Sequence, residues 1–431
     1  MRSKRKIALP RVKNPRRLIN WAQNALILLL VAGAVVLAAG PSGFGVGTEL
    51  RPEGAFAREE YVSPEYGAAA EPMCIVVTPE EGVHDAALYS SRDLSDAYRA
   101  YSAALAEALG SAGEPVEVDA AAWERAISSS GVYFDYYTDC QLSSFAIWLG
   151  SEMTSSAAAH TARRLCLALE DGSVALYYMR ARQGTWYRCD TELNYSELAG
   201  RVAESGPDGA SFVFEHDGKY EGVDPYWVIA SGQTEVRTIA GEDSVSGSAE
   251  RIMEAFGMNS MLAQDYYEAD GTQVCLEGGA TLRLGAAGTL RFTRSSLPER
   301  SVVLSPSDAV ELTRGILEET VGLESGVAVL RLSSIYCTDP ETGDYVLRYD
   351  YAVDGLTVSI QGRECAAEFR ISGGTVYSAD MICRAYSYTG GAERPLPASL
   401  TATLVAADGG GEPRLAYIDT FGAVRADWIV L

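Results

Sequence analysis

An uncharged apolar segment near the N-terminus constrains this chain more than any other feature. Residues 18–40, LINWAQNALILLLVAGAVVLAAG, contain no charged side chain over 23 positions. At about 1.5 Å per residue, a helix of this length spans the ~30 Å hydrocarbon core of a bilayer. Trp21 lies near one end of the segment, where interfacial aromatic residues concentrate. The segment therefore predicts a transmembrane helix over residues 18–40.

Charge divides unequally on the two sides of this segment. The 431 residues include 35 basic and 58 acidic residues, a net charge of −23. Residues 1–17 hold eight of the basic residues and no acid, which leaves a net charge of −31 for the remainder. Because basic flanks stay on the cytoplasmic side, we expect a single-pass protein of the cell membrane with a cytoplasmic tail over residues 1–17 and an extracytoplasmic bulk. The strongly negative charge of this extracytoplasmic part also argues against nucleic-acid binding, because nucleic acids are polyanions.

A cleaved signal peptide is the alternative interpretation of the apolar segment. Val36, Ala38 and Gly40 are small enough for a cleavage site. However, the apolar run is longer than the ~7–15 residues of a signal-peptide core, so an uncleaved anchor is favoured. In such an anchor, Ala32, Gly33 and Ala34 would permit close approach of a partner's membrane helix.

Turn and helix signals divide the rest of the chain into modules. Residues 41–71 are rich in Gly, Ala, Pro and Glu and are interpreted as a linker. We predict an α+β domain over residues 72–245, a small helix-plus-meander module over 246–300 and a C-terminal module over 301–431. Each module contains a helix followed by short strands separated by glycine turns. The predicted fold class is therefore α+β, with helices packed on antiparallel meander sheets.

Individual elements carry local signals. Asp119 and Ser305 are predicted N-caps, and Gly110 is predicted to end the helix before Asp119. Pro306 and Asp308 suit the first turn of the helix that follows Ser305. Three strands over residues 165–190 are predicted to form a meander, and a hairpin is predicted to turn at residues 372–374.

The C-terminal block resembles the YycH/YycI type of membrane-anchored regulators, which share PepSY-like modules. The resemblance lies in SPSDAVELTRGIL, YVLRYDYAVDGLTV, SGGTVYSADMICRAY and the closing LAYID and ADWIVL, and the middle block DGTQVCLEGGATLRLGAAGTLRFT fits the same architecture. The anchor and short basic tail fit as well, whereas residues 73–245 are not clearly matched. The family implies a single-pass protein whose outer domain and membrane helix modulate a sensor histidine kinase.

Eight cysteines lie in the predicted extracytoplasmic part of the chain. Disulfides are permitted on that side of the membrane. No CxxC pair is present, so no zinc site is predicted. Cys166 and Cys189 are predicted on the first and third strands of the meander, about 9–10 Å apart, too far for a bond unless the strand order differs. Cys365 and Cys383 flank the turn at residues 372–374, and a bulge there would bring them within disulfide reach. For most of the eight, a single buried thiol is favoured.

Motifs for catalysis are absent from the sequence. Three histidines, His84, His160 and His216, occur outside any metal-binding or protease motif, and His216 is predicted to be a solvated turn residue. No nucleophile elbow, P-loop or dinucleotide-binding motif is present. Asp135 and Asp139 are spaced so that they could act as an acid and a base, but chance pairs are common among 58 acids. We therefore expect no enzyme activity, cofactor or metal.

The predicted function is that of a non-catalytic regulator of a partner membrane protein, a sensor histidine kinase above all. An extracytoplasmic module that binds peptides or cell-wall glycans is the first alternative, because tyrosines at strand spacing, as in the stretch from Tyr133 to Tyr137, could line a groove. The same tyrosines are more typical of half-buried sheet positions. A cell-envelope hydrolase is the second alternative.

Overall fold

The computed structural model describes residues 70–244, 249–285, 287–295 and 302–431. The predicted basic tail, membrane helix and linker up to residue 69 lie outside these residues. Within the described ranges, no helix has the length and apolar character needed to cross a membrane. Seven α-helices and 22 strands are present there, almost all the strands pairing antiparallel. The α+β class and the antiparallel sheets predicted from the sequence are confirmed.

A seven-stranded sheet forms the first half of the structure, in the spatial order β2-β1-β4-β5-β6-β7-β3. Its strands are β1 Cys74–Glu80, β2 Val83–Ala87, β3 Val116–Val118, β4 Gly131–Gln141, β5 Thr161–Glu170, β6 Ser173–Arg180 and β7 Thr185–Asp190. The accompanying helices are α1 Ser91–Ser111, α2 Ala120–Ser128, α3 Leu142–Trp148 and α4 Tyr195–Ala203. The predicted meander is confirmed as β5, β6 and β7.

Both faces of this first sheet are covered. Phe134 faces a core shared with α1, α3 and α4, whereas its neighbour Tyr133 faces a second core with Trp123 of α2. Because successive side chains of a strand point to opposite faces, β4 is apolar at consecutive positions rather than alternating. Tyr133, Phe134 and Tyr136 are thus buried packing residues, more enclosed than the half-buried sheet positions expected.

A larger sheet of 11 strands forms the second half, in the order β11-β12-β13-β14-β19-β18-β16-β17-β21-β22, with β15 pairing β16. Its strands are β11 Gln264–Tyr267, β12 Gln273–Glu277, β13 Ala280–Leu284, β14 Thr289–Arg294, β15 Val329–Asp339, β16 Asp344–Val353, β17 Leu356–Ile360, β18 Ala367–Ser372, β19 Thr375–Ile382, β21 Pro413–Asp419 and β22 Val424–Val430. Only β17 and β21 pair parallel within it. Strands from residues 264–294 and 329–430 thus share one sheet, joined by β14 and β19.

Short elements complete the structure. Strands β8 Ser211–Phe212 and β9 Val228–Ile229 pair together, and β10 Val236–Asp243 pairs with β20 Arg384–Glu393. The remaining helices are α5 Ala249–Ala255, α6 Pro306–Thr320 and α7 Ala398–Ala407. Helix α6 packs Ala309, Val310 and Ile316 into the main core against the larger sheet. A helix therefore packs on an antiparallel sheet there, but the strand order is not that of a simple meander, because β16 pairs with β15, β17 and β18.

Several local predictions are confirmed by hydrogen bonds. Asp119 caps α2 by accepting from the amide of Ala122 at 2.7 Å. The hairpin of β18 and β19 turns where predicted, with Gly373 and Gly374 at positive φ, a region that glycine enters without strain. The prediction for Gly110 was wrong, because α1 continues to Ser111 and ends at Ala112.

The cap of α6 yields a first prediction. Ser305 Oγ accepts from the amide of Asp308 at 3.2 Å, and the Asp308 carboxylate accepts from the Ser305 amide at 3.3 Å, which is a capping box. Ser305→Ala removes the acceptor, so we expect the free energy of unfolding to fall by about 1 kcal/mol in urea titrations. Ser305→Thr, which keeps both the acceptor and the hydroxyl donor to the Asp308 carboxylate, should stay within about 0.5 kcal/mol of the unchanged chain. Equal losses in both variants would contradict this role for the cap.

Candidate functional site at the junction of the two sheets

The first sheet meets the larger sheet along strands β4 and β15. Tyr137 on β4 donates its hydroxyl proton to the carbonyl oxygen of Gly355, at 3.0 Å, in the turn between β16 and β17. Glu71, just before β1, forms an ion pair with Arg331 on β15. Both contacts join residues more than 200 positions apart in sequence. Polar contacts therefore bridge the two halves of the molecule, which also share one apolar core.

A cluster of five charged side chains, hereafter the junction cluster, also lies where the two halves meet. Its members are Asp135, Arg163, Arg164, Asp224 and Glu412. Arg163 Nε lies 2.8 Å from Asp135 Oδ1, and Arg163 Nη1 lies 2.9 Å from Glu412 Oε2. Arg164 contacts Asp135 at 3.2 Å and binds both carboxylate oxygens of Asp224, at 3.0 and 2.9 Å. The cluster links the first sheet to the residue that precedes β21.

Strand register explains how these charges meet. Asp135 on β4 pairs with Arg164 on β5 across the antiparallel ladder. Cross-strand partners have Cβ atoms about 4.5–5.5 Å apart, so an aspartate opposite an arginine forms an ion pair within the sheet. Arg163, the preceding residue of β5, contacts Glu412 beyond the sheet. Asp135 and Arg164 are each only 5% exposed, which removes most of the solvent screening of their attraction.

The electrostatic environment of the cluster favours the charged forms of Glu412 and Arg164. Burial alone would raise the pKa of Glu412, but the adjacent Arg163 and Arg164 outweigh it and lower the pKa from 4.5 to about 2. Burial alone would lower the pKa of Arg164, yet the carboxylates of Asp135 and Asp224 raise it above its ordinary value. Glu412 and Arg164 are therefore charged at neutral pH.

Glu412 yields a second prediction, on the pH dependence of stability. A lowered carboxyl pKa stabilises the folded state above the unfolded value near 4.5, and this contribution is lost as pH falls from about 4.5 to about 2. Glu412→Gln should therefore cost about 2–3 kcal/mol of unfolding free energy at pH 7, a difference that shrinks below pH 4.5. Urea titrations across pH measure it. Glu341→Gln, in an exposed turn, is the control and should show no difference. A constant difference at every pH would contradict the linkage.

A cavity between the two halves is lined mainly by apolar and aromatic side chains. Tyr136 and Phe145 come from the first half, and Val310, Leu317 and Tyr349 from the second. The cavity encloses about 50 Å³, room for a few water molecules and well below the ~150 Å³ that holds benzene in an engineered core. Within the described residues, the Tyr136 hydroxyl finds no hydrogen-bond partner, and burial raises its pKa. The junction is thus closely packed around a small cavity.

The two aspartates singled out in the sequence have different closest partners, although Arg163 and Asp135 also act electrostatically on Asp139. Asp135 lies in the junction cluster. Asp139, four residues later, lies 3.7 Å from Arg182, and burial raises its carboxyl pKa. A bulge in the pairing of β4 with β5 falls between them. The structure gives this pair no shared site.

The three histidines occupy three different environments. His84 is buried, with Nδ1 2.9 Å from Thr78 Oγ1 and Nε2 3.0 Å from Glu215 Oε1. His160 Nδ1 lies 2.7 Å from the Tyr178 hydroxyl, and burial lowers its pKa.

The prediction that His216 is a solvated turn residue was wrong. It is half-buried at the end of a 3₁₀ turn, and its Nε2 lies 2.8 Å from Ser211 Oγ. In the part of the chain that the structure describes, no group of three or more His, Cys, Asp or Glu side chains is placed to hold a metal ion.

The cysteines carry thiols in the structure, with no disulfide among the eight. Cys166 and Cys189 are on β5 and β7, which β6 separates, as the meander predicted. The hairpin of β18 and β19 does contain a bulge.

Despite that bulge, Cys365 and Cys383 have different neighbours. Burial raises the pKa of the Cys365 thiol, and charged Asp350 and Arg348 act on it from the polar face of the sheet. Cys383 is buried near Tyr351, on the core face. This placement explains why the structure has no bond between them. Ala32, Gly33 and Ala34, the predicted contacts of the membrane helix, lie outside the described residues.

Comparisons with known proteins bear on the fold. The chain is similar to the crystal structure of YycH from Bacillus subtilis, with a TM-score of 0.59 and 10% sequence identity over 86% of this chain and 96% of that one. No protein-family model matches the sequence, and no curated protein matches it. At this identity the likeness shows the fold alone. A YycH-like fold, expected from the resemblance, is therefore confirmed, and the PepSY-like modules stay a prediction.

Proposed function

We propose that this protein is a non-catalytic, membrane-anchored regulator that acts outside the cell on a partner membrane protein, a two-component sensor histidine kinase. The observation that carries the proposal is the YycH-like fold over 86% of the chain. The regulator family that the sequence resembles supplies the expected partner class. The division of charge around residues 18–40 supports an anchored protein with an outer domain.

The junction cluster suits such a role physically. A regulator of this kind must prefer one signalling state of its partner, and it biases that state only through differential contacts. Buried ion pairs fix the geometry of the two halves, so that both present one defined surface to the partner. The predicted membrane helix would add contacts at Ala32, Gly33 and Ala34, where small side chains allow helices to approach closely.

The experiment is co-purification of the full chain from membranes of its own cells, followed by identification of bound sensor kinases and measurement of their output. We expect one kinase to co-purify and its output to change when the gene is deleted. Replacing Ala32, Gly33 and Ala34 together with leucine should weaken that association, because bulky side chains prevent close approach. The control replaces Leu28, Leu29 and Leu30 with isoleucine, which keeps size and apolarity. Association with no kinase, together with unchanged output on deletion, would refute the proposal.

A further inference from the structure

Strand β11 forms one end of the larger sheet and exposes an unusual surface. Among the described residues it pairs only with β12, and all four of its residues are exposed. Large apolar side chains cluster around it, with fractional exposures of 89% for Met261, 69% for Leu262 and 68% for Tyr267. Tyr266 and Leu276 add to the same region at 46% and 37%. Exposed apolar groups beside an unpaired edge are typical of association sites.

The backbone of β11 has a defined open side. The amide of Glu268 donates to the carbonyl of Thr272 at 2.9 Å, which makes residues 268 and 272 a hydrogen-bonded pair. Hydrogen-bonded pairs alternate along an antiparallel ladder, so Tyr266 and Gln264 also direct their amide and carbonyl groups towards β12. Asp265 and Tyr267 therefore direct their amide and carbonyl groups to the open edge. Two donors and two acceptors are available there for pairing with another strand.

We propose that a second copy of this chain pairs with β11 antiparallel about Tyr266, which makes one continuous sheet across two copies. In this register Asp265 of each copy is opposite Tyr267 of the other. Both residues have outward backbone groups, so the two pairs exchange four hydrogen bonds. Tyr266 then faces its own counterpart across the symmetry axis, and the exposed rings and aliphatic side chains cover one another. The proposal stands independently of the proposed function.

The position of Asp265 favours this register over the other symmetric registers. Only residues with outward groups can form hydrogen-bonded pairs, so a symmetric pairing must be centred on residue 265, 266 or 267. Centring on residue 265 places Asp265 opposite Asp265, and like charges directly opposite are destabilising. Centring on residue 267 leaves Asp265 opposite Ala269, which lies beyond the strand in the turn after Tyr267. Centring on Tyr266 uses all the outward groups of the strand and places no acid opposite another.

Cysteine cross-linking tests the proposed register in the full chain. The background is Cys337→Ser with Cys365→Ser, because the other six cysteines are buried. Tyr266→Cys should give a disulfide-linked dimer under mild oxidation, since residues opposite each other in a pair of this kind have Cα atoms about 4.5 Å apart. Gln264→Cys is the matched control on the same side of the strand. In the proposed register the two cysteines at position 264, one in each copy, are about 13 Å apart along the strands, which is too far for a disulfide.

Mass measurement of the purified full chain in detergent gives a second readout. We expect two copies for the unchanged chain, and one for Tyr267→Pro, which removes an outward amide and leaves the pairing with β12 intact. The Tyr267→Pro substitution should leave the thermal unfolding midpoint of a single copy unchanged. Equal cross-linking at residues 264 and 266, or a dimer without a cross-link at 266, would overturn the register. A single-copy mass for the unchanged chain would overturn the proposal.

Discussion

Replacing Arg384 with methionine is expected to lower the free energy of unfolding by about 3–5 kcal/mol. Arg384 is a fully buried arginine, with 1% of its surface exposed. Its Nε and Nη2 atoms each lie 2.9 Å from one oxygen of Asp419, and it also forms an ion pair with Asp243. Because Asp419 is 0% exposed, the substitution leaves a buried carboxylate with only the Tyr386 hydroxyl, at 2.9 Å, as a side-chain donor.

Arg384 also lies where two sheets meet, which adds to the expected loss of unfolding free energy. Arg384 begins β20, Asp243 ends β10 and Asp419 ends β21. The ion pairs therefore attach the two-stranded sheet of β10 and β20 to the end of the larger sheet. Burial alone would lower the pKa of Arg384, but its hydrogen bonds to Asp419 and Asp243 raise it, so the guanidinium is charged at any pH at which the protein folds.

Urea unfolding followed by circular dichroism measures this prediction. Arg394→Met is the matched control, because Arg394 is 71% exposed and paired with the exposed Glu235, and it should change stability by less than about 1 kcal/mol. Adding Asp419→Asn to Arg384→Met should recover part of the loss, since it removes the uncompensated charge. A loss no larger than that of Arg394→Met would contradict the role assigned to this arginine.

Local signals predicted much of the secondary structure because the physics behind them is local. The caps at Asp119 and Ser305 and the glycine turn before Thr375 each depend on a few neighbouring residues. Helix α7 was missed because it follows Pro397 without a side-chain cap. Helix α4 was missed, although the Asn194 side chain caps it by accepting from the amide of Glu197.

Long-range pairings could not be predicted in the same way. Nothing in residues 289–294 specifies that β14 pairs with β19, or that β17 and β21 run parallel, because these contacts depend on the packing of the whole core. The junction cluster was also missed, yet it left one signal. Arg163 and Arg164 stand side by side in TARRLCLALE, a strand that is otherwise apolar and buried. Charged side chains in such a strand require partners, and the acids Asp224 and Glu412 that supply them are distant in sequence.

Arg164→Met is expected to lower the unfolding free energy by about 3 kcal/mol, the second large effect. The substitution removes both hydrogen bonds to Asp224 and the contact with buried Asp135, which then keeps Arg163 and the Tyr133 hydroxyl. It also removes a cation–π contact, since the guanidinium carbon lies 5.6 Å from the centre of the Tyr226 ring. The expected loss is smaller than for Arg384, because the side chain of Asp224 is 20% exposed and regains water.

The matched control for Arg164→Met is Arg182→Met. Arg182 is 60% exposed and 3.7 Å from Asp139, so its loss should change stability by less than about 1 kcal/mol. Hydrogen exchange distinguishes a local effect from a general one. If the junction cluster holds the two halves together, Arg164→Met should speed amide exchange in β4 and around Glu412 before it affects the hairpin of β18 and β19. Uniformly faster exchange over the whole chain would show that the cluster contributes only to global stability, and that the junction does not open on its own.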